Sequence, residues 1–102
     1  MFHELAELTI ADGREEEFEA AYQQQGRRIL ARATGFLWTD LARSVERPST
    51  YVLRVCWRTV ENHTVDFRQG PLFEQWRAVV GPFFADQPKV EHVQPRFQPF
   101  RG

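Results

Sequence analysis

The stretch WRTVENHTVDFRQGPLFEQWR, residues 57–77, sets one imidazole, His63, among the aromatic rings of Trp57, Phe67, Phe73 and Trp76. A histidine ionises close to neutrality and can take a proton from a substrate. Flat rings hold a planar molecule at little entropic cost. His63 is therefore a candidate catalytic base, the plainer reading being that its ring hydrogen-bonds the neighbouring loop. Trp57, Phe67 and Trp76, with Trp38 further upstream, are candidate walls of a substrate site, although their spacing suits a core equally well.

Arg54 is the second candidate catalytic group, because a cation in the middle of a run of Tyr, Val and Leu needs a partner if it is buried. It either pairs with Glu4, Glu7 or Asp40, or stabilises an enolate or phenolate of bound substrate. Cys56 shares its strand face and reads as a small buried hydrophobe rather than a nucleophile. His3 and His92 come together if the first and last strands pair, and with Glu91 they suggest a metal; the spacing is not diagnostic, and no metal site is assigned.

The elements that must position these groups are legible in the periodicity. Residues 2–10 alternate with period two, as a strand does. Asp12 and Glu15 have the spacing of a capping box, and Phe18, Ala21, Tyr22, Gln25 and Ile29 trace the inward stripe of a helix over about residues 13–33. Glu15, Glu16 and Glu17 open that helix as a solvated, dipole-matched first turn, and Gly35 follows as the left-handed residue beyond its end. GFLWTDLARSV and STYVLRVCW read as a hairpin around ERPS, with Tyr51, Leu53, Val55 and Trp57 on one face and Val52, Arg54, Cys56 and Arg58 on the other. Thr59 caps a short helix carrying Val60, Thr64 and Phe67. Pro71 starts another, with Leu72, Phe73, Trp76, Val79, Val80 and Phe83 inward, which Pro82 kinks or ends. KVEHVQPRF reads as the last strand.

The order strand, helix, strand, strand, helix pair, strand predicts an α+β, ferredoxin-like split βαβ fold, with a four-stranded antiparallel sheet and helices on one face. The other face carries too many apolar residues for water, so a second copy is expected to cover it, giving a homodimer. A single domain over residues 1–102 is expected, with a C-terminal tail at residues 94–102 too apolar to be purely solvated.

With 13 Lys and Arg against 14 Asp and Glu, the chain lacks the basic excess of a nucleic-acid binder. No apolar window reaches membrane-span length, and the N-terminus lacks the basic region and long apolar core of a signal peptide. One cysteine allows no intrachain disulfide. No membrane association and a cytoplasmic location are the expectation.

Beyond these patterns, YVLRVCWRTVENHTVDFRQGPLFEQWRAVVGPFFADQPKVEHV resembles the antibiotic biosynthesis monooxygenases, small dimeric α+β barrel proteins. The likeness rests on Trp57, Thr59, Glu61, His63, Phe67, Arg68, Phe73, Trp76, Arg77, Pro82, Phe83, Val90 and His92. It implies a homodimer of ferredoxin-like protomers, each with a pocket between sheet and helices. It also implies oxygenation of a small or polycyclic aromatic, quinol or polyketide-like substrate by molecular oxygen without metal, flavin or haem. The haem-degrading branch keeps an Asn, a Trp and a His where this chain has Ala6, Phe67 and Arg77, so the resemblance points away from haem oxygenation. The same fold would also suit a non-catalytic ligand-binding or accessory module, or a cyclase or isomerase.

Overall fold

In the computed structural model, which describes residues 1–102, the alternating N-terminal segment is strand β1 (Phe2–Thr9), with Glu4, Ala6 and Leu8 buried on one face. The helix after it begins later than its sequence suggests. α1 (Glu15–Ala21) has Arg14 at its N-cap and no side-chain cap. The Asp12 and Glu15 carboxylates instead converge on Ser49, whose hydroxyl lies 3.2 Å and 2.7 Å from them. An exchange with the far hairpin has replaced the capping box.

The rod continues as a π-helical segment, π1 (Tyr22–Gly26), and then as α2 (Arg27–Ala31). The wider π turn rotates the inward stripe, so that Gly26, Ile29 and Leu30 are buried while Gln25 is exposed. At Gly26 the rod packs tightly against α3 (Pro71–Val80): a Cβ there would meet the Trp76 ring at 3.0 Å and Val80 at 3.5 Å.

β2 (Phe36–Arg43) and β3 (Thr50–Trp57) form the expected hairpin. A bulge at Leu37 shifts the register between Phe36 and Trp38. The sheet order is β2-β3-β1-β4, with β4 (Lys89–Val93) against β1 and every neighbouring pair antiparallel. β1 and β2 thus run parallel with β3 between them, the split βαβ pattern of the ferredoxin-like fold. β4 is shorter than KVEHVQPRF. Pro95 has no N–H to give the ladder, and beyond Val93 the chain leaves the sheet.

Tyr51, Leu53, Val55 and Trp57 of β3 pack under the helices with Phe18, Leu30, Trp76 and Val80, so one face of the sheet holds the core. The opposite face carries no helix and leaves Trp38, Val52 and Val93 between a third and two fifths exposed. Phe97 and Phe100 of the tail are also exposed, because no other part of the protomer reaches them. No helix is long and apolar enough to cross a membrane.

Candidate functional site

The segment bearing His63 is fixed from both sides. Thr59 and Asn62 exchange hydrogen bonds, each backbone N–H donating to the other's side-chain oxygen at 3.1 Å, and this reciprocal cap starts a helical turn that continues as π2 (Asn62–Phe67). Asn62 also lies against Gly35, whose φ of +81° suits glycine and whose missing Cβ makes room: a Cβ would sit 2.0 Å from the Asn62 amide oxygen. The start of the hairpin thereby holds π2 against the sheet. Pro71 then opens α3 as the sequence predicts, and Pro82 ends it by forcing a short 3₁₀ turn, Gly81–Phe83.

Between the sheet, π2, α3 and the loop leading to β4 lies an open cleft of about 1130 Å³. Phe67, Phe73 and Trp76 give it apolar walls, and Arg68 and Arg77 line it with positive charge. Its polar floor is a trio that the backbone delivers from three elements: Glu4 from β1, His63 from π2 and His92 from β4.

The trio is ordered in a line. His63 Nε2 lies 3.3 Å from Glu4 Oε1, and His63 Nδ1 lies 2.8 Å from His92 Nε2. The Trp57 indole stacks on the His63 ring, with centroids 5.4 Å apart and planes 16° from parallel, and donates its N–H to the same Glu4 oxygen at 3.1 Å. Glu4 is buried to 6% exposure and His63 to 3%. Burial dominates both ionisations. It pushes the Glu4 carboxyl up to about 7 against the lowering effects of the Trp57 hydrogen bond and the Arg68 charge. It pushes His63 down to about 3, helped by Arg68 and His92. His92 is lowered as well, by burial first and then by Arg68.

At neutral pH both imidazoles are therefore neutral and the carboxyl is poised between its two forms. The two nitrogens of His63 face different partners, so one ion cannot bind Glu4, His63 and His92 together, and no group of three or more His, Cys, Asp or Glu has metal-holding geometry. The places matching the haem-degrading pattern, Ala6, Phe67 and Arg77, line this cleft and offer no axial ligand of the imidazole, thiolate or phenolate kind.

Of the side chains proposed from sequence, His63, Phe67 and Trp76 meet at the cleft, and Trp57 stands directly behind His63. Arg54 and Trp38 do not join them. Arg54 pairs across the hairpin with Asp40, its guanidinium 5.3 Å from the Trp38 ring, on the sheet face opposite the helices. This is the ion-pair reading of Arg54, and the alternation of β3 makes a place in the cleft impossible within the protomer.

The pairing of His3 with His92 also fails. The register sets His92 opposite Glu4 and His3 opposite Val93, so the two histidines occupy opposite faces. Sequence reasoning passed over Glu4 as a site residue although it keeps step with Ala6, Leu8 and Ile10; a lone acid in phase with a buried apolar face was the available signal.

A family model described as antibiotic biosynthesis monooxygenase matches residues 1–79. The Bacillus subtilis (strain 168) protein YczJ is 36% identical over 94 residues, covering 92% of this chain and 98% of its own. A Bordetella bronchiseptica structure described as an antibiotic biosynthesis monooxygenase is 44% identical, with a TM-score of 0.91 over 94% of this chain and 97% of that one. The ActVA-Orf6 monooxygenase of Streptomyces coelicolor, solved in complex with nanaomycin D, shares the fold at 15% identity, with a TM-score of 0.81 over 99% and 92% of the two chains.

Proposed function

The chain belongs to the antibiotic biosynthesis monooxygenase family, and from that premise we propose that it oxygenates a small or polycyclic aromatic substrate, quinol-like or polyketide-like, without a metal or organic cofactor. The observation that carries this reading is the polar floor of Glu4, His63 and His92 beneath the aromatic walls of Phe67, Phe73 and Trp76. A binding module needs no poised carboxyl at the bottom of an accessible cleft, whereas proton abstraction does.

For an anthrone, the ring CH₂ gives a proton to the imidazoles and leaves a resonance-stabilised carbanion. One electron passes to O₂, the radical and superoxide combine to a peroxide anion, which takes the proton back from the site to give the hydroperoxide, and loss of water leaves the ketone. One O₂ is consumed, one oxygen atom enters the product and the other leaves as water. The cation suited to meet the developing anion is Arg68, which lines the cleft, rather than Arg54 behind the sheet. The open sheet face, with Trp38, Val52 and Val93 partly bared, suits a second copy, so the working unit is a homodimer. A reducing cytoplasm suits the lone thiol of Cys56.

The test is aerobic and anaerobic incubation with a panel of anthrones and hydroquinones, following oxygen uptake and product mass together. Uptake above the buffer rate with one oxygen gained in the product supports oxygenation. A product isomeric with its substrate indicates a cyclase or isomerase, and binding without turnover indicates an accessory module.

A further inference from the structure

We infer that Glu4 is the terminal proton store of the site, filled and emptied through His63 and His92 as a relay of neutral imidazoles. The inference rests on the proposed reading only for what arrives at the cleft end; the relay is a property of the resting protein.

The relay is set by which atoms face which. His63 faces its partners at opposite nitrogens: Nδ1 is hydrogen-bonded with His92 Nε2 at 2.8 Å, and Nε2 lies 3.3 Å from Glu4 Oε1, within ion-pair distance, so its ring stands between two groups that are not otherwise joined. His92 lines the cleft, and its Nδ1 makes no hydrogen bond within the chain. With Glu4 ionised, His63 carries its proton on Nε2, toward the carboxylate, and accepts at Nδ1 from His92 Nε2–H, leaving His92 Nδ1 as a lone pair at the cleft. A proton arriving at that lone pair releases the Nε2 proton of His92 to His63 Nδ1, and the Nε2 proton of His63 passes to Glu4. Both rings have then exchanged tautomers, both remain neutral, and the single proton taken up resides on the carboxyl.

The surroundings favour this over a charged imidazolium. The groups that face the trio are the Trp57 indole from β3, which donates to Glu4 Oε1, and Arg68 just beyond π2, a permanent cation. Arg68 repels an imidazolium at either histidine and attracts the carboxylate, and burial of His63 opposes positive charge there further. A neutral carboxyl is the form of the loaded site that burial favours, consistent with a Glu4 carboxyl raised to about 7. Glu4 lines the bottom of the cleft, but its Oε1 faces His63 and Trp57, so it acts as a positioning residue whose proton is exchanged through the two imidazoles.

The deciding experiment follows the imidazole ¹⁵N resonances of the wild-type protein, without ligand, between about pH 5 and pH 9. The expected result is that His63 changes from the Nδ1–H tautomer at low pH to the Nε2–H tautomer at high pH, midpoint near 7, with His92 following and neither ring becoming imidazolium near neutrality. Glu4→Gln, which keeps an oxygen for the Trp57 N–H, should freeze both tautomers. A His63 that holds one tautomer throughout, a ring that becomes doubly protonated near neutrality, or an exchange that survives in Glu4→Gln overturns the relay. If Glu4→Gln does not fold, the wild-type titration decides alone. Failure of the oxygenase reading leaves these spectra untouched. Where a substrate is turned over, Glu4→Gln should lower kcat at least ~10²-fold with KM nearly unchanged, and the loss of rate below about pH 7 should vanish from its profile.

Discussion

The guanidinium of Arg54 holds the carboxylate of Asp40 through two hydrogen bonds, 2.9 Å from Nε and 2.5 Å from Nη2, on the sheet face turned away from the cleft. Both side chains are nearly half exposed in the protomer, so the pair contributes less than about 1 kcal/mol there. Arg54→Met should therefore leave the affinity of the cleft for an anthraquinone-type ligand unchanged in a fluorescence titration. If a second copy covers this face, Asp40 is left unpaired inside the interface, and the same variant should dissociate at higher protein concentration in sedimentation. A tenfold loss of ligand affinity with the dimer intact would return Arg54 to the binding site.

Cys56 shares that face with Arg54, and its sulfur lies 3.5 Å from the Met1 sulfur. It is fully buried, and burial raises its thiol above the ordinary value. A thiolate-requiring disulfide reagent at neutral pH should label it only as fast as the chain unfolds. Labelling of the native protein at the rate of a free thiol would contradict the burial.

Gly35 connects the hairpin to the site. A methyl group there would collide with the Asn62 side chain at 2.0 Å and would also force an L residue to φ +81°. Gly35→Ala should cost about 2–4 kcal/mol in urea unfolding, from strain plus the displaced Asn62 cap. Because Asn62 immediately precedes His63, the folded variant should also show altered His63 resonances. Wild-type stability together with unchanged resonances would refute this account of how π2 is held.

The architecture was legible because it is local and periodic. Alternation in β1 and β3, the position of Pro71 and the Thr59 cap all translate into observed elements, and the strand order follows from them. The Asp12–Glu15 box misled because Ser49, distant in sequence, competes for the same carboxylates. The π1 turn left no periodic sign, and the contact it makes, Gly26 against Trp76, joins segments fifty residues apart. His63, Phe67 and Trp76 were found through their spacing on one stretch. The placing of Arg54 and the joining of Glu4 to His92 required the strand register, which depends on pairing between ends of the chain.

Glu4 and His63 pull the pH dependence of stability in opposite directions. The Glu4 carboxyl stands at about 7 in the folded protein against an ordinary 4.5, so between those values the folded state keeps a proton that the unfolded chain has lost, and stability falls as pH rises. His63 stands at about 3 against 6.5, so over that interval the unfolded chain holds the extra proton, and stability rises with pH; His92, also lowered, acts with the same sign. From about pH 4.5 to 6.5 the Glu4 slope opposes those of the two histidines, so the wild type should change less steeply with pH than a chain lacking the Glu4 carboxyl. Slightly above that range Glu4 acts alone, and stability should decline until its carboxyl is fully ionised. Glu4→Gln leaves the histidines unopposed, so its unfolding free energy should climb with pH up to about 6.5 and then level off. His63→Phe leaves Glu4 opposed only by His92, so its stability should fall between about pH 4.5 and 7, by at most ~3 kcal/mol. Urea melts of both variants across this range measure the two slopes directly, and slopes of the same sign would mean that burial does not set the ionisation of this trio.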